Sequence, residues 1–303
     1  MSAAPRFAGS IFVDGRFVPA ARAQVSALDR GLLYGDGLFE TFRTYRGIPF
    51  ALDDHLSRLR QAAERIRLPV HRSSSWWRTV IAEVLRRNRL DSRDAVVRVT
   101  ITRGAGGASL IPPRGIRPTI LVVARALPRQ VSSWHQSGVP VVLLPFHPGL
   151  DGLLGGLKTT DYLTALMGKM LAREHGAFEG IYQTASGEVL EGTTSNVFLA
   201  NGRRLETPPL SRGILPGITR ERVLAIARRN GFAVRERTIR TRELRDAQAA
   251  FLTASTIEVM PIRSIDGHPL HGDRSSVAAL HQLFRTARDT ELFRESQESA
   301  YKN

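Results

Sequence analysis

The chain has 303 residues, of which 42% are hydrophobic. That is enough for a sizeable core in one large or two modest domains, and no apolar run reaches the roughly 20 residues of a membrane-spanning helix. There is no cysteine, which excludes disulfides, thiolate nucleophiles and cysteine-ligated metals. With no basic region followed by an apolar stretch in MSAAPRFAGSIFVDG, a cytoplasmic protein is expected. The net charge of +15 invites a polyanionic partner. The arginines, however, are spread along the chain among Asp and Glu, as in RTRELRDAQ (240–248), so no nucleic-acid partner, no membrane and no metal site is expected.

In chain order, IFVDGRFV (11–18) reads as a hairpin around Asp14 and Gly15. Residues 38–45 and 48–52 read as a second strand pair. Asp53 is expected to cap a helix running to about residue 66, with Leu56, Leu59, Ala63 and Ile66 on one stripe. A helix over 75–88 and strands over 95–102 and 119–126 follow, the strands joined by a loop containing RGAGG (103–107). Residues 128–133 read as a linker between a small α+β domain (1–127) and a larger mixed domain (134–303). The second half begins with a strand over 139–145 and a glycine-rich loop that leads to Lys158. A helix over 161–175, strands over 179–184 and 188–191, and a hairpin around Asn201 and Gly202 come next. Helices over 218–230 and 273–293 flank a short strand at 249–253.

Only three of the 43 basic residues are lysines: Lys158, Lys169 and Lys302. Where arginine serves nearly everywhere, a retained lysine points to chemistry that a guanidinium cannot perform. An amine can lose its proton and form an imine; a guanidinium cannot. Lys302 lies in the terminal tail, and Lys169 falls in a helical pattern as a solvated face. Lys158 sits in GLLGGLKTTDY (152–162), either as an imine-forming amine or as a surface lysine in a loop.

An imine-forming lysine suggests pyridoxal 5'-phosphate, which also needs an anion site, a partner for its pyridine nitrogen and a site for the substrate carboxylate. LPGITRERVL (215–224) offers a helix start at Ile218 or Thr219, where outward amides and the helix dipole favour an anion. Alternatively, Thr219 caps its own helix. Arg58, one turn from His55, is either a bidentate phosphate contact or a surface arginine. Ser255 and Thr256 offer two hydroxyls after an apolar strand, or form an ordinary turn. Glu191 is either the carboxylate that keeps a pyridine nitrogen protonated or an exposed strand end. Asn196 reads as closing a local turn.

Taken together, DRGLLYGDGLFETFR (29–43), HLSRL (55–59), Lys158 with Tyr162, EGTTSNVF (191–198), and Thr207-Pro208 through GITR (217–220) resemble the signatures of the class IV, fold type IV, pyridoxal-phosphate family. They occur in family order over about residues 10–270. That family includes branched-chain and D-amino acid aminotransferases, R-selective amine transaminases and 4-amino-4-deoxychorismate lyase. The resemblance implies a two-domain α+β fold and a homodimer. Lys158 would hold the cofactor as a Schiff base and shuttle a proton. Glu191 would pair with the pyridine nitrogen, and Tyr162 would bond the phenolic oxygen. Arg58, Ile218, Thr219, Ser255 and Thr256 would hold the phosphate. Tyr34, Phe39, Thr41 and Arg43 would line the substrate side.

Within the family the signals divide. Thr41, Arg43 and the RGAGG loop look lyase-like, whereas Tyr162 and the EGTTSN run look like transaminases. Asp161 stands where the family often has Asn. ASL (108–110) lacks the Arg and His of D-amino acid aminotransferases, and VVR (96–98) keeps the Arg but not the Tyr of the branched-chain enzymes. Arg43, Arg98 and Arg103 all remain open as the carboxylate site. The expectation is an aminotransferase acting on an amino donor and a 2-oxo acid such as 2-oxoglutarate or pyruvate. The lyase, releasing pyruvate, is the alternative, and a non-catalytic binding protein of the same fold the remote one.

Overall fold

The structure, a computed structural model, describes residues 9–146 and 152–301. The chain divides into two compact units, one of 1–127 with 158–161, the other of 128–157 and 162–303.

In the first unit, β1 (Ser10–Val13) and β2 (Arg16–Pro19) form the hairpin. Asp14 and Gly15 both have positive φ, 45° and 87°, the left-handed pair that a two-residue turn requires. Helix α1 (Arg30–Tyr34) is short and capped by Asp29, and it had no periodicity by which to be read. Next come β3 (Gly37–Tyr45) and β4 (Ile48–Pro49). β4 ends at Pro49, although the Phe50 amide still donates to the Arg43 carbonyl at 3.1 Å before the chain turns away. Helix α2 (Leu52–Arg65) starts at Leu52, not behind an Asp53 cap. Ala51 turns the chain at φ 55°, and Asp53 pairs with Arg78 at 2.7 Å. Helix α3 (Ser74–Arg87), β5 (Ala95–Thr102) and β6 (Thr119–Ala126) complete the unit. The antiparallel sheet runs β2-β1-β6-β5-β3-β4.

The register between β3 and β5 sorts side chains onto two faces with the two-residue period of a strand. Leu38, Glu40 and Phe42 lie opposite Ile101, Val99 and Val97 on the face covered by α2, where the Phe42 ring meets His55 at 5.4 Å. Phe39, Thr41 and Arg43 lie opposite Thr100, Arg98 and Val96 on the other face.

The second unit opens with α4 (Val131–Ser137), so the segment expected as a linker, 128–133, instead runs into a helix. After β7 (Val139–Leu143), part of the expected glycine-rich loop, 147–151, lies outside the described residues. Helix α5 (Leu163–Glu174) ends before Gly176 at φ 67°. It is followed by β8 (Glu179–Gln183), β9 (Glu188–Gly192), β10 (Asn196–Asn201) and β11 (Arg204–Thr207). Then come α6 (Ile218–Arg229), β12 (Ala233–Glu236), β13 (Ile239–Arg240) and α7 (Thr241–Arg245). The unit closes with β14 (Ala249–Ala254), β15 (Glu258–Ile265), β16 (His268–Pro269) and α8 (Ser275–Tyr301), which continues past the expected end at 293.

The sheet path is β12-β11-β10-β14-β15-β7-β8-β9-β13. A tight turn from Gly192 to Ser195, closed by the Gly192 amide on the Ser195 carbonyl at 2.6 Å, joins β9 to β10. Phe198 and Phe251 stack across β10 and β14 with centroids 4.8 Å apart in a fully buried core.

Candidate active site

Lys158 belongs to the first unit because its backbone is stitched to the start of β3. The Phe39 amide donates to the Lys158 carbonyl, and the Thr160 amide to the Gly37 carbonyl, each at 2.9 Å. The Thr160 hydroxyl adds a bond to the Gly35 carbonyl at 2.7 Å. Gly37 permits this approach, since a Cβ there would lie 3.0 Å from Thr160 Oγ1 as well as 2.7 Å from the Ile101 carbonyl oxygen of β5. The Lys158 amine lies 4.4 Å from the centre of the Phe39 ring, and the Arg98 guanidinium lies 3.6 Å from the same centre. Arg98 Nε donates to Thr100 at 3.3 Å, and Thr41 faces Arg98 across the register. An amine and a guanidinium are thereby gathered at one aromatic ring, with Thr41 and Thr100 on the same face of the sheet.

The opposite face holds a buried ionic cluster. Glu40 accepts two bonds from Arg58, at 2.8 and 2.7 Å, and its Oε2 lies 2.8 Å from His55 Nδ1. Burial works to raise the Glu40 carboxyl, but the Arg58 charge and the bonds from His55 and Arg58 outweigh it and hold it at about 2. Burial pushes the His55 imidazole below its ordinary value. Glu40 opposes that shift, whereas the charges of Arg58 and Lys158 add to it. Arg58 is thus anchored in the protein by a carboxylate that sequence reading passed over. The signal was available: Glu40 alternates onto the apolar face of β3, where an acid needs a partner.

The other arginines have structural partners. Arg103 bonds Asp36 at 2.7 Å and the carbonyls of Arg67 and Ile66 at 2.8 and 2.9 Å. Arg43 bonds Asp94 at 2.6 Å and stacks over Tyr45. Tyr34 donates its hydroxyl to the Ala108 carbonyl, and Arg30 grips the carbonyls of Ser109 and Leu110. Asp29 takes the hydroxyls of Thr102 and Thr119 at 2.9 and 2.7 Å. The DRGLLYGDG run therefore ties down a loop as well as bordering β3.

In the second unit, Glu191 accepts from Asn196 Nδ2 at 3.2 Å and from the Leu215 amide at 3.1 Å. Asn196 also bonds the Leu215 carbonyl at 3.0 Å. It does more than close a turn, because it locks the carboxylate of β9 to the segment that leads into α6. Gly217 leaves room for this contact: a Cβ there would come within 2.1 Å of Asn196 Oδ1. Gly217 is the N-cap of α6, and no side chain caps the helix. Thr219 is buried in the first turn rather than capping its own helix. Ser255 and Thr256, both half-buried, form the turn between β14 and β15.

Tyr162 donates to the Thr193 carbonyl at 3.2 Å. Below that turn lies Glu179, fully buried, which takes the hydroxyls of Thr193, Thr194 and Ser195. Lys169, half-buried, is 3.1 Å from Glu179 and donates to the Phe178 carbonyl at 2.8 Å, so its amine is tied to the buried acid beneath the 193–195 turn. Burial pushes the Tyr182 hydroxyl well up, and the neighbouring Tyr162, Glu179 and Glu191 add to the shift.

The second unit offers an uncapped helix start and a carboxylate held by two donors, and the first unit offers a lysine; these are the residue types pyridoxal 5'-phosphate needs, so the residues present fit that cofactor. The architecture is that of the fold type IV aminotransferases: the branched-chain amino acid aminotransferase of Escherichia coli superposes with a TM-score of 0.85 at 27% identity, over 93% of this chain and 95% of that one. The model of the amino-transferase class IV family matches residues 37–265, and the chain belongs to that pyridoxal-phosphate-dependent family. It is 31% identical to the aminodeoxychorismate lyase of Bacillus subtilis, over 91% of this chain and 93% of that protein. It is also 31% identical to the D-alanine aminotransferase of Bacillus licheniformis, over 86% and 89%.

Proposed function

We propose that the protein transfers an amino group between an amino acid and a 2-oxo acid, with Lys158 as the catalytic residue and Arg98 as the carboxylate anchor. The observation that carries this reading is the placement of the Lys158 amine and the Arg98 guanidinium on one phenylalanine ring. A substrate with a reacting amino-bearing carbon beside a carboxylate suits an amine and a guanidinium that share one aromatic ring. When bound, pyridoxal 5'-phosphate supplies an aldehyde that takes up amines and a ring that accepts electron density from the α-carbon. Lys158 holds that aldehyde between turnovers. The Lys158 amine would then serve as the base that moves a proton at the substrate α-carbon. Glu191, oriented by Asn196 and the Leu215 amide, keeps the ring nitrogen protonated. The amides of Ile218 and Thr219, with Ser255, Thr256 and Arg58, take the phosphate, and Tyr162 bonds the phenolic oxygen. Phe39, Thr41 and Arg98 contact substrate. Arg43, Arg103 and Tyr34 shape the surrounding loops, each through its own structural partner.

A second reading is the lyase that releases pyruvate, favoured by the 31% identity to such an enzyme over nearly the whole chain. The two separate in one assay. Glutamate formation from an L-amino acid and 2-oxoglutarate supports the transaminase. Pyruvate release from aminodeoxychorismate without an amino acceptor, and no glutamate, contradicts it. We place the enzyme in the cytoplasm as a homodimer. An exposed apolar stripe on α5, Leu163, Leu166, Met167 and Met170, supports the dimer.

A further inference from the structure

In the second unit, well away in sequence from every residue assigned above except the 255–256 turn, three side chains converge: His135 of α4, Glu258 at the start of β15 and His281 of α8. One ligand atom from each lies within 4.8 Å of the others. We propose that these residues form a binding site for a borderline divalent cation of the zinc class, contrary to the metal-free chain expected from the sequence. The proposal stands independently of the transaminase reading.

The hydrogen bonds set the site up for a metal. His135 Nε2 is 2.8 Å from the Ile257 carbonyl oxygen. A carbonyl only accepts, so Nε2 carries the hydrogen and Nδ1 keeps the lone pair. A ligating histidine is commonly fixed in its tautomer by this kind of outer contact. Glu258 is buried and held at φ 54°, a backbone conformation that costs energy for a non-glycine residue. Its Oε1 accepts from Arg288 at 2.6 Å, leaving Oε2 directed at His281, whose Nε2 is 2.7 Å away. Arg288 thus orients the carboxylate for monodentate ligation. Asp289, 2.7 Å from the same guanidinium, offsets its charge. Two carboxylates against one guanidinium leave the cluster formally negative and receptive to a cation.

The imidazole rings lie 4.3 Å apart, centre to centre, at 37°. A tetrahedral zinc with bonds of about 2.0–2.1 Å needs ligand atoms roughly 3.3 Å apart, which small side-chain rotations from the present spacing supply. Two imidazoles and one carboxylate suit zinc or its first-row neighbours; magnesium and calcium prefer all-oxygen sets. Bound there, the ion would tie α4, β15 and α8 together behind the 255–256 turn.

The test uses tag-free, cofactor-loaded protein, equilibrated with zinc chloride, desalted, and measured for zinc by atomic emission and for thermal midpoint. The control carries His135→Gln and His281→Gln. Glutamine can still donate to the Ile257 carbonyl and to Glu258, so the fold is retained, but its amide ligates zinc poorly. One equivalent of zinc retained by the wild type, with a raised midpoint, and at least roughly tenfold weaker binding in the control at equal cofactor content, is expected. No retention by the wild type, or equal retention by the control, overturns the proposal.

Discussion

At the scale of the residue, the three arginines left open by the sequence differ in what they hold. Arg98 stacks on the ring that also carries Lys158, whereas Arg103 clamps an aspartate and two backbone carbonyls. Arg98→Met should raise KM for both amino acid and oxo acid roughly 10- to 100-fold, the worth of a lost charge-assisted hydrogen bond, with a smaller effect on kcat. Arg103→Met should instead lower stability by about 1–2 kcal/mol, because it takes the guanidinium donor from the Ile66 and Arg67 carbonyls and leaves Asp36 with Arg30, while leaving KM near that of the wild type. Steady-state kinetics and denaturant midpoints on both variants check the contrast; equal KM effects would contradict it. Lys158 stood out in the sequence because lysine is so scarce in it. The roles of the arginines did not, since a guanidinium's partners come from strands and loops far off in the chain. Asn196 was hidden for the same reason, since it acts through partners that only tertiary packing supplies, whereas Glu40 was signalled by its alternation onto the apolar face of β3.

At the scale of the element, strands and helices with strong periodicity were legible: β5, β6 and α6 match their expected spans closely. Elements that break a local rule were not. β15 lies between β14 and β7 although Pro261 sits inside it, and a proline normally argues against an interior strand. Helix α4 was obscured by the proline and polar residues read as a linker. The start of α6 carries a sharp prediction. Gly217→Ala drives a methyl group into Asn196, which displaces both the helix start and the donor to Glu191. Affinity for pyridoxal 5'-phosphate should fall at least about tenfold, and more than that for pyridoxal, which has no phosphate to lose; a fluorescence titration of the apoprotein with each measures it. The α2–β3 pair carries another. Glu40 titrates at about 2 in the fold against 4.5 unperturbed, so its contribution is present above pH 4.5 and lost as pH falls through 2. His55, depressed by burial, adds loss below its ordinary 6.5, where the unfolded chain binds the proton first. Thermal midpoints should therefore fall on acidification, and Glu40→Gln should flatten the steep acid limb.

At the scale of the molecule, the class IV signatures were legible, but the unit to which Lys158 belongs was not. Residues 158–161 leave their sequence neighbours and join the first unit because β3 supplies the backbone partners. The exposed α5 stripe sets the expectation for assembly: Met167→Glu should convert a dimer to monomers in light scattering, and an unchanged mass would contradict a dimer built on that helix. The most direct measurement of the whole account is borohydride reduction of the cofactor-loaded protein followed by peptide mapping. A phosphopyridoxyl group fixed on the peptide containing Lys158, with loss of the visible absorbance, is predicted. A cofactor that leaves the reduced protein on denaturation, or one fixed on Lys169, would contradict it.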